Sequence, residues 1–158
     1  MSGWEFSIRP LDLSEPIEAL RLLALQQASY LSEANVIGFS DIPPLKDTLP
    51  SLQESRECFL GCFWNVELAG CIAYERRGEE LEICRMMVHP DFFRRGIADQ
   101  LLHAVYEREA GVRLMRVSAV TTNEPAVRLY EKHGFSTADS REIAPGIYLA
   151  EYSKLMGE

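Results

Sequence analysis

From Glu82 to Leu102 the chain reads EICRMMVHPDFFRRGIADQLL, and no other passage restricts the fold as much: an apolar strand passes through an Arg-Arg-Gly-Ile-Ala loop directly into a helix. Consecutive backbone N–H groups at the start of a helix have no intrahelical acceptor, and the helix dipole adds positive potential there, so a phosphate is favoured against them. The passage therefore predicts a site for a phosphorylated ligand. Taken alone it is also compatible with an ordinary strand-to-helix turn whose glycine eases packing.

The remainder of the chain bounds the setting. Its 158 residues are the size of one domain, and 47% hydrophobic with 25% charged residues is the composition of a globular protein. Gly and Pro fall singly between periodic segments, with no repeat or long linker, which predicts one domain over residues 1–158. The first residues carry charges and a proline in place of a signal-peptide apolar run, and no segment has the ~20 apolar residues of a membrane span. A cytoplasmic protein is expected, with no membrane partner. A net charge of -8 argues against nucleic-acid binding, which needs clustered Lys and Arg, and is compatible with a cationic substrate. Cys58, Cys62, Cys71 and Cys84 lie in apolar runs without ligand-like spacing, so reduced, buried cysteines and no metal are expected.

Periodicity orders the elements. Trp4 to Pro10 alternates as a strand, and Ser14 and Pro16 open a helix over Ile17 to Ser29. Leu31 to Pro44 reads as a polar connection closed by Pro43-Pro44, and Leu45 to Glu57 as a weaker helix. Cys58 to Trp64, Leu68 to Arg76 and Leu81 to His89 form a three-stranded meander, with turns at Asn65-Val66-Glu67 and Arg77-Gly78-Glu79. The helix after the loop sets Ile97, Leu101 and Val105 on one stripe and ends at Gly111. Val112 to Val120 is a strand, Glu124 to His133 a helix, and Phe135 to Arg141 and Ile147 to Leu155 close the chain as strands. This order predicts an α/β fold, a mixed sheet with helices on both faces.

Two common phosphate loops are excluded. A Walker loop requires Lys followed by Ser or Thr after its second glycine, whereas Gly96 is followed by Ile97-Ala98-Asp99. A dinucleotide fingerprint requires three glycines, and this loop has one.

Strand, Val-His-Pro-Asp, Arg-Arg-Gly-Ile-Ala and helix together resemble the central motif of the GNAT superfamily of N-acetyltransferases. Asn123-Glu124-Pro125-Ala126-Val127-Arg128-Leu129-Tyr130-Glu131-Lys132-His133-Gly134-Phe135 resembles the family's downstream segment, in the same order. The resemblance implies a central, mostly antiparallel mixed sheet and acetyl-CoA, or a related acyl-CoA, as donor. It implies that the backbone of Met86, Met87 and Val88 pairs with the pantetheine arm, and that the N–H groups of Arg94, Arg95, Gly96, Ile97, Ala98 and Asp99 hold the pyrophosphate. It also implies that Asn123 contacts the pantetheine and that Tyr130 protonates the departing thiolate, for which a phenol with a pKa of about 10 is suited. The position three before Gly96, usually Gln or Arg in the family, is Phe93.

An alkyl ammonium must lose a proton before it can attack, and Glu82 is the expected base, because strand alternation sets Glu82, Cys84, Met86 and Val88 on one face. In the ribosomal-protein N-terminal acetyltransferases, which the chain also resembles, a Glu five residues before the Asn has this role. That position is Ser118. Phe92 and Phe93 are expected to pack beneath the loop. Glu33, Asp41 and Asp47, against Lys46, make Leu31 to Leu52 acidic, and the resemblance assigns acceptor choice to that region and to a hairpin loop around Ser140 to Gly146. The expected activity is acetyl transfer to a primary amine, on a small molecule or a protein terminus, by direct attack in a ternary complex. An idle acyl-CoA-binding sensor is the alternative, and a homodimer is left open.

Overall fold

A computed structural model describes residues 5–37 and 47–157. The strands are β1 (Phe6–Pro10), β2 (Cys58–Trp64), β3 (Glu67–Arg77), β4 (Glu80–Val88), β5 (Leu114–Val120), β6 (Ser136–Ala144) and β7 (Ile147–Leu155). Among the described residues the helices are α1 (Pro16–Ile37), α2 (Leu49–Gln53), α3 (Ile97–Arg108) and α4 (Glu124–Lys132), with a 3₁₀ turn at Pro90–Phe92. The seven strands form one sheet in the order β1-β2-β3-β4-β5-β7-β6. Only the central β4–β5 pair is parallel, so the sheet is mixed and mostly antiparallel as expected.

Each sheet face buries its own apolar cluster. Leu101, Leu102 and Val105 of α3, with Tyr130 of α4, pack on Leu81, Ile83, Met115 and Val117, whereas Leu22, Leu25 and Tyr30 of α1, with Leu52 of α2, pack on Phe59, Cys71 and Met87. Helices on both faces thus exclude water from the strands that carry the loop. Among the described residues no helix is long and apolar enough to cross a membrane.

Three elements depart from the sequence reading. Helix α1 continues to Ile37, because Pro16–Ile37 contains no interior Gly or Pro and Tyr30 and Ala34 sustain its buried stripe beyond Ser29. The second helix shortens to Leu49–Gln53: Thr48 caps it reciprocally with Ser51, and Pro50 fits its first turn. Strand β6 runs to Ala144, so Ser140 to Ala144 is strand, and the turn lies at Pro145-Gly146. Trp4, Asp41, the Pro43-Pro44 break and Lys46 lie outside the described residues.

The cysteines divide. Cys62 and Cys71 are buried as expected, while Cys58 and Cys84 are exposed, because they lie at the start of β2 and at a bulge in β4.

Candidate active site

The bulge in β4 creates the opening. Ala73 pairs with Arg85 and Tyr74 with Ile83, which leaves Cys84 as an extra residue. A bulge bends its strand and interrupts alternation. The parallel register with β5 ends at Ile83–Val117; β4 then runs on to Val88 paired with β3 only, while β5 continues to Val120 paired with β7. Between the separated strands lies a cleft of about 610 Å³ lined by Cys84, Met86 and Val88 of β4, Ser118 and Ala119 of β5, and Asn123, Ala126 and Tyr130 of α4. Ser29, Tyr30 and Glu33 of α1 close it from above, and Phe93, Arg94, Gly96, Ile97, Ala98 and Asp99 form its mouth.

The bulge also corrects the argument for Glu82. Leu81 and Ile83 face the α3 cluster before Cys84, but Met86 and Val88 face it afterwards. Glu82 and Met86 are therefore not on one face. Glu82 is exposed, opposite Glu75 of β3 and Arg116 of β5, and is not among the cleft residues.

At the mouth, Gly96 is the N-cap of α3 with φ 76°, a conformation that costs an L-residue roughly 1–2 kcal/mol. A Cβ there would meet nothing within 4 Å, so the backbone lies open to a ligand. The first intrahelical bond is Gln100 N–H to Gly96 C=O, so the N–H groups of Ile97, Ala98 and Asp99 precede the first helical donor and have no acceptor within the helix. The 3₁₀ turn before the loop is capped by His89 Nδ1, which accepts from Asp91 N–H at 3.1 Å. Phe92 packs edge-on to Phe6, ring centroids 5.9 Å apart, whereas Phe93 is 48% exposed at the mouth and does not pack beneath the loop.

The polar groups of the cleft are tied together. Asn123 caps α4, its Oδ1 accepting from Ala126 N–H at 3.4 Å, and its Nδ2 donates to Glu33 Oε1 at 2.9 Å. Both ends of the Asn123 side chain are thus engaged within the protein. Tyr130 is 3% exposed against Phe135 and Tyr152, and burial, followed by the nearby Glu33 charge, raises its hydroxyl pKa above the ordinary value. Burial also raises the Glu33 carboxyl, although the Asn123 hydrogen bond pulls the other way. Ser29 Oγ accepts from Val88 N–H at 3.2 Å. Cys84 is exposed as a residue, yet partial burial of its thiol comes first in pushing it up to about 12, followed by the charges of Glu57, Glu82 and Glu75. Arg85 is held beneath the cleft by Asp47 at 2.7 Å, Glu57 at 2.9 Å and Gln26 at 2.7 Å.

Apart from Glu82, Met87 and Arg95, the sequence-derived residues line this cleft; Met87 points its side chain into the α1 cluster and Arg95 opens onto a neighbouring basic recess. Sequence reasoning assigned Glu33 only to an acidic substrate mouth. Its place beside Asn123 depends on a contact across 90 residues, which no local pattern announces.

A mixed, mostly antiparallel sheet with a strand edge opened by a bulge, beside a helix N-terminus with a left-handed glycine cap, defines the class of fold. Residues 55–137 match the family model "Acetyltransferase (GNAT) domain", and the chain belongs to this family. It is 37% identical over 142 residues to the UPF0157 protein YqkA of Bacillus subtilis (strain 168), a match covering 90% of this chain and 41% of that protein, so the chain spans about two-fifths of its relative's length. Among solved structures, the PaiA N-acetyltransferase of Thermoplasma acidophilum in complex with coenzyme A superposes with a TM-score of 0.76 at 20% identity, over 96% of this chain and 98% of that one. The ribosomal-protein-S18-alanine N-acetyltransferase of Escherichia coli superposes with a TM-score of 0.75 at 17% identity, over 97% of each chain. These structural likenesses concern the fold.

Proposed function

We propose that the 158 residues form one acyl-CoA-dependent N-acyltransferase unit that transfers acetyl from acetyl-CoA to a primary amine by direct attack in a ternary complex. One observation carries the reading: the β4 edge that β5 leaves beyond Ile83, the open N-terminus of α3 and Tyr130 converge on a single cleft. The residues fit the donor. The β4 backbone from Met86 to Val88 has no strand partner on its β5 side and can take an extended amide-bearing arm there, as in strand addition, the arm exchanging for the Ser29 Oγ bond at the Val88 N–H. The N–H groups from Arg94 to Asp99 and the Arg94 and Arg95 side chains match a pyrophosphate in charge and donor count. Asn123 orients the wall of the cleft along the same arm.

The donor supplies an activated carbonyl with a thiolate leaving group. The neutral amine forms the new C–N bond, the C–S bond breaks, and Tyr130 gives its phenolic proton to the sulfur. The amide nitrogen then loses its surplus proton to the Tyr130 phenolate, which restores the acid. Because burial keeps Tyr130 protonated through the neutral range, it is ready to donate as charge develops on sulfur. A covalent route through Cys84 is disfavoured, since a thiol held near 12 supplies almost no thiolate at neutral pH.

Release of free thiol from acetyl-CoA in the presence of a panel of primary amines tests the reading. Turnover with at least one amine is expected, and Tyr130→Phe is expected to lower kcat by about 10²-fold with little change in acetyl-CoA affinity. Binding of acetyl-CoA without turnover of any amine would point instead to a sensor.

A further inference from the structure

Glu33 is a half-buried carboxylate lining the cleft that the mechanism above leaves without a task. It follows Ser29 by one turn of α1, and Ser29 contacts the Val88 backbone at the edge where the thioester would lie. Asn123 reaches it from the start of α4, while Tyr130 comes from the last turns of that helix. The Glu33 charge is felt at both Tyr130 and Tyr30. The carboxylate, the acid and the strand edge therefore share one small space.

We infer that Glu33, and not Glu82, receives the proton of the acceptor's ammonium group, with Asn123 as the residue that positions it. The inference rests on the acyltransfer reading of the cleft. In the step, the ammonium N–H bond breaks, its proton bonds to a Glu33 carboxylate oxygen, and the nitrogen lone pair becomes available to the thioester carbonyl. Glu33 later discharges that proton to solvent through the cleft mouth, so the net products are amide, free thiol and one proton. Burial favours this exchange on both sides, since desolvation raises a carboxylate and lowers an ammonium, which brings two distant pKa values together. The groups facing Glu33 are Tyr30 on its own helix and Asn123 and Tyr130 from α4. Cys84, Arg94, Asp99 and Arg128 line the same cleft, and so does Arg85, whose charge is committed to Asp47 and Glu57. Glu82 shares none of these relations.

Steady-state turnover of acetyl-CoA with the best amine of the panel, measured across pH, decides the matter. Glu33→Gln is expected to lower kcat about 10²-fold near neutrality and to close the gap as pH approaches the amine's own pKa, where base assistance is no longer needed. Acetyl-CoA affinity by calorimetry should be unchanged. Asn123→Ala should move the acidic limb of the profile to higher pH, because a hydrogen bond that favours the charged carboxylate is lost. Glu82→Gln should leave the profile as in the wild type. In the unliganded protein Glu33→Gln should raise Tm at neutral pH, since a half-buried charge with a raised pKa opposes folding once ionised; a lowered Tm would mean that Glu33 holds the fold together. If Glu33→Gln folds poorly, Glu33→Asp, with its carboxylate withdrawn by one methylene, should show a smaller loss with the acidic limb retained. A Glu33→Gln profile parallel to the wild type, or a loss confined to acetyl-CoA binding, would overturn the assignment while leaving the acyltransfer reading intact. Wild-type protein that releases no thiol with any amine would overturn both.

Discussion

Cys84 is the residue on which the site turns. As the extra residue of β4 it ends the pairing with β5, yet its own side chain is chemically quiet, its thiol pushed up to about 12 by burial and three carboxylates. Cys84→Ser should therefore leave kcat within about threefold of wild type, because it keeps the bulge and removes only an un-ionised thiol. A loss approaching that of Tyr130→Phe, or an acyl-protein adduct in a mass spectrum, would revive a covalent route. The same residue shows the limit of local pattern. Strand alternation placed Glu82 with Met86, and one inserted residue reversed that, since a period of two has no tolerance for a single addition. Tyr130 and Asn123 were legible through the family resemblance of the segment from Asn123 to Phe135, whereas the partner of Asn123 was not.

At the level of elements, the position of α3 against the sheet fixes where its N-terminus opens. Gly70 of β3 lies directly beneath it: a Cβ there would come within 2.6 Å of Ile97 Cγ2 and 3.0 Å of the Met87 carbonyl oxygen. Gly70→Ala should thus lift the first turn of α3 from β3 and β4. Overpacking of this kind typically costs about 1–3 kcal/mol, readable by urea unfolding, and acetyl-CoA affinity should fall with it by calorimetry. A stable variant with unaltered affinity would show that the helix start is positioned some other way. Helix α3 itself was legible from Ile97, Leu101 and Val105, all of which are buried. Helix α1 was read too short because its polar composition after Ser29 suggested a connection, yet Tyr30 and Ala34 continue the buried face. That extra length carries Glu33 over the cleft.

For the molecule as a whole, charge is arranged to hold the layers together. Asp99 of α3 binds Lys132 and His133 at the end of α4; burial raises its pKa, but those two hydrogen bonds outweigh burial and hold the carboxyl below its ordinary value. Asp47 behaves alike, burial being outweighed by hydrogen bonds from Ser51 and Gln26 and by Arg85, while Glu18 is lowered chiefly by Arg9. A carboxyl whose pKa is depressed by folding stabilises the native state above its unfolded value, and that contribution disappears as pH falls through the folded value. Glu33 has the opposite sign, with its raised folded pKa favouring the fold at low pH. Asp12 is lowered too, by its bonds from Ser14, and among the described residues four lowered carboxyls against one raised predict that Tm falls on acidification below about pH 4, where free carboxyls titrate. Asp99→Asn should make that fall shallower; an unchanged acid limb would place the sensitivity elsewhere.

The sequence by itself determined the sheet-and-helix order and the loop that opens α3, because each is written in spacings shorter than one element, and its motifs carried the resemblance that singled out Asn123 and Tyr130. Only the tertiary structure decided which carboxylate stands in the cleft. The bulge at Cys84 turned Glu82 away, and the packing of α1 across the sheet brought Glu33 within 2.9 Å of Asn123. Both outcomes follow from contacts between distant parts of the chain, for which residue spacing carries no signal.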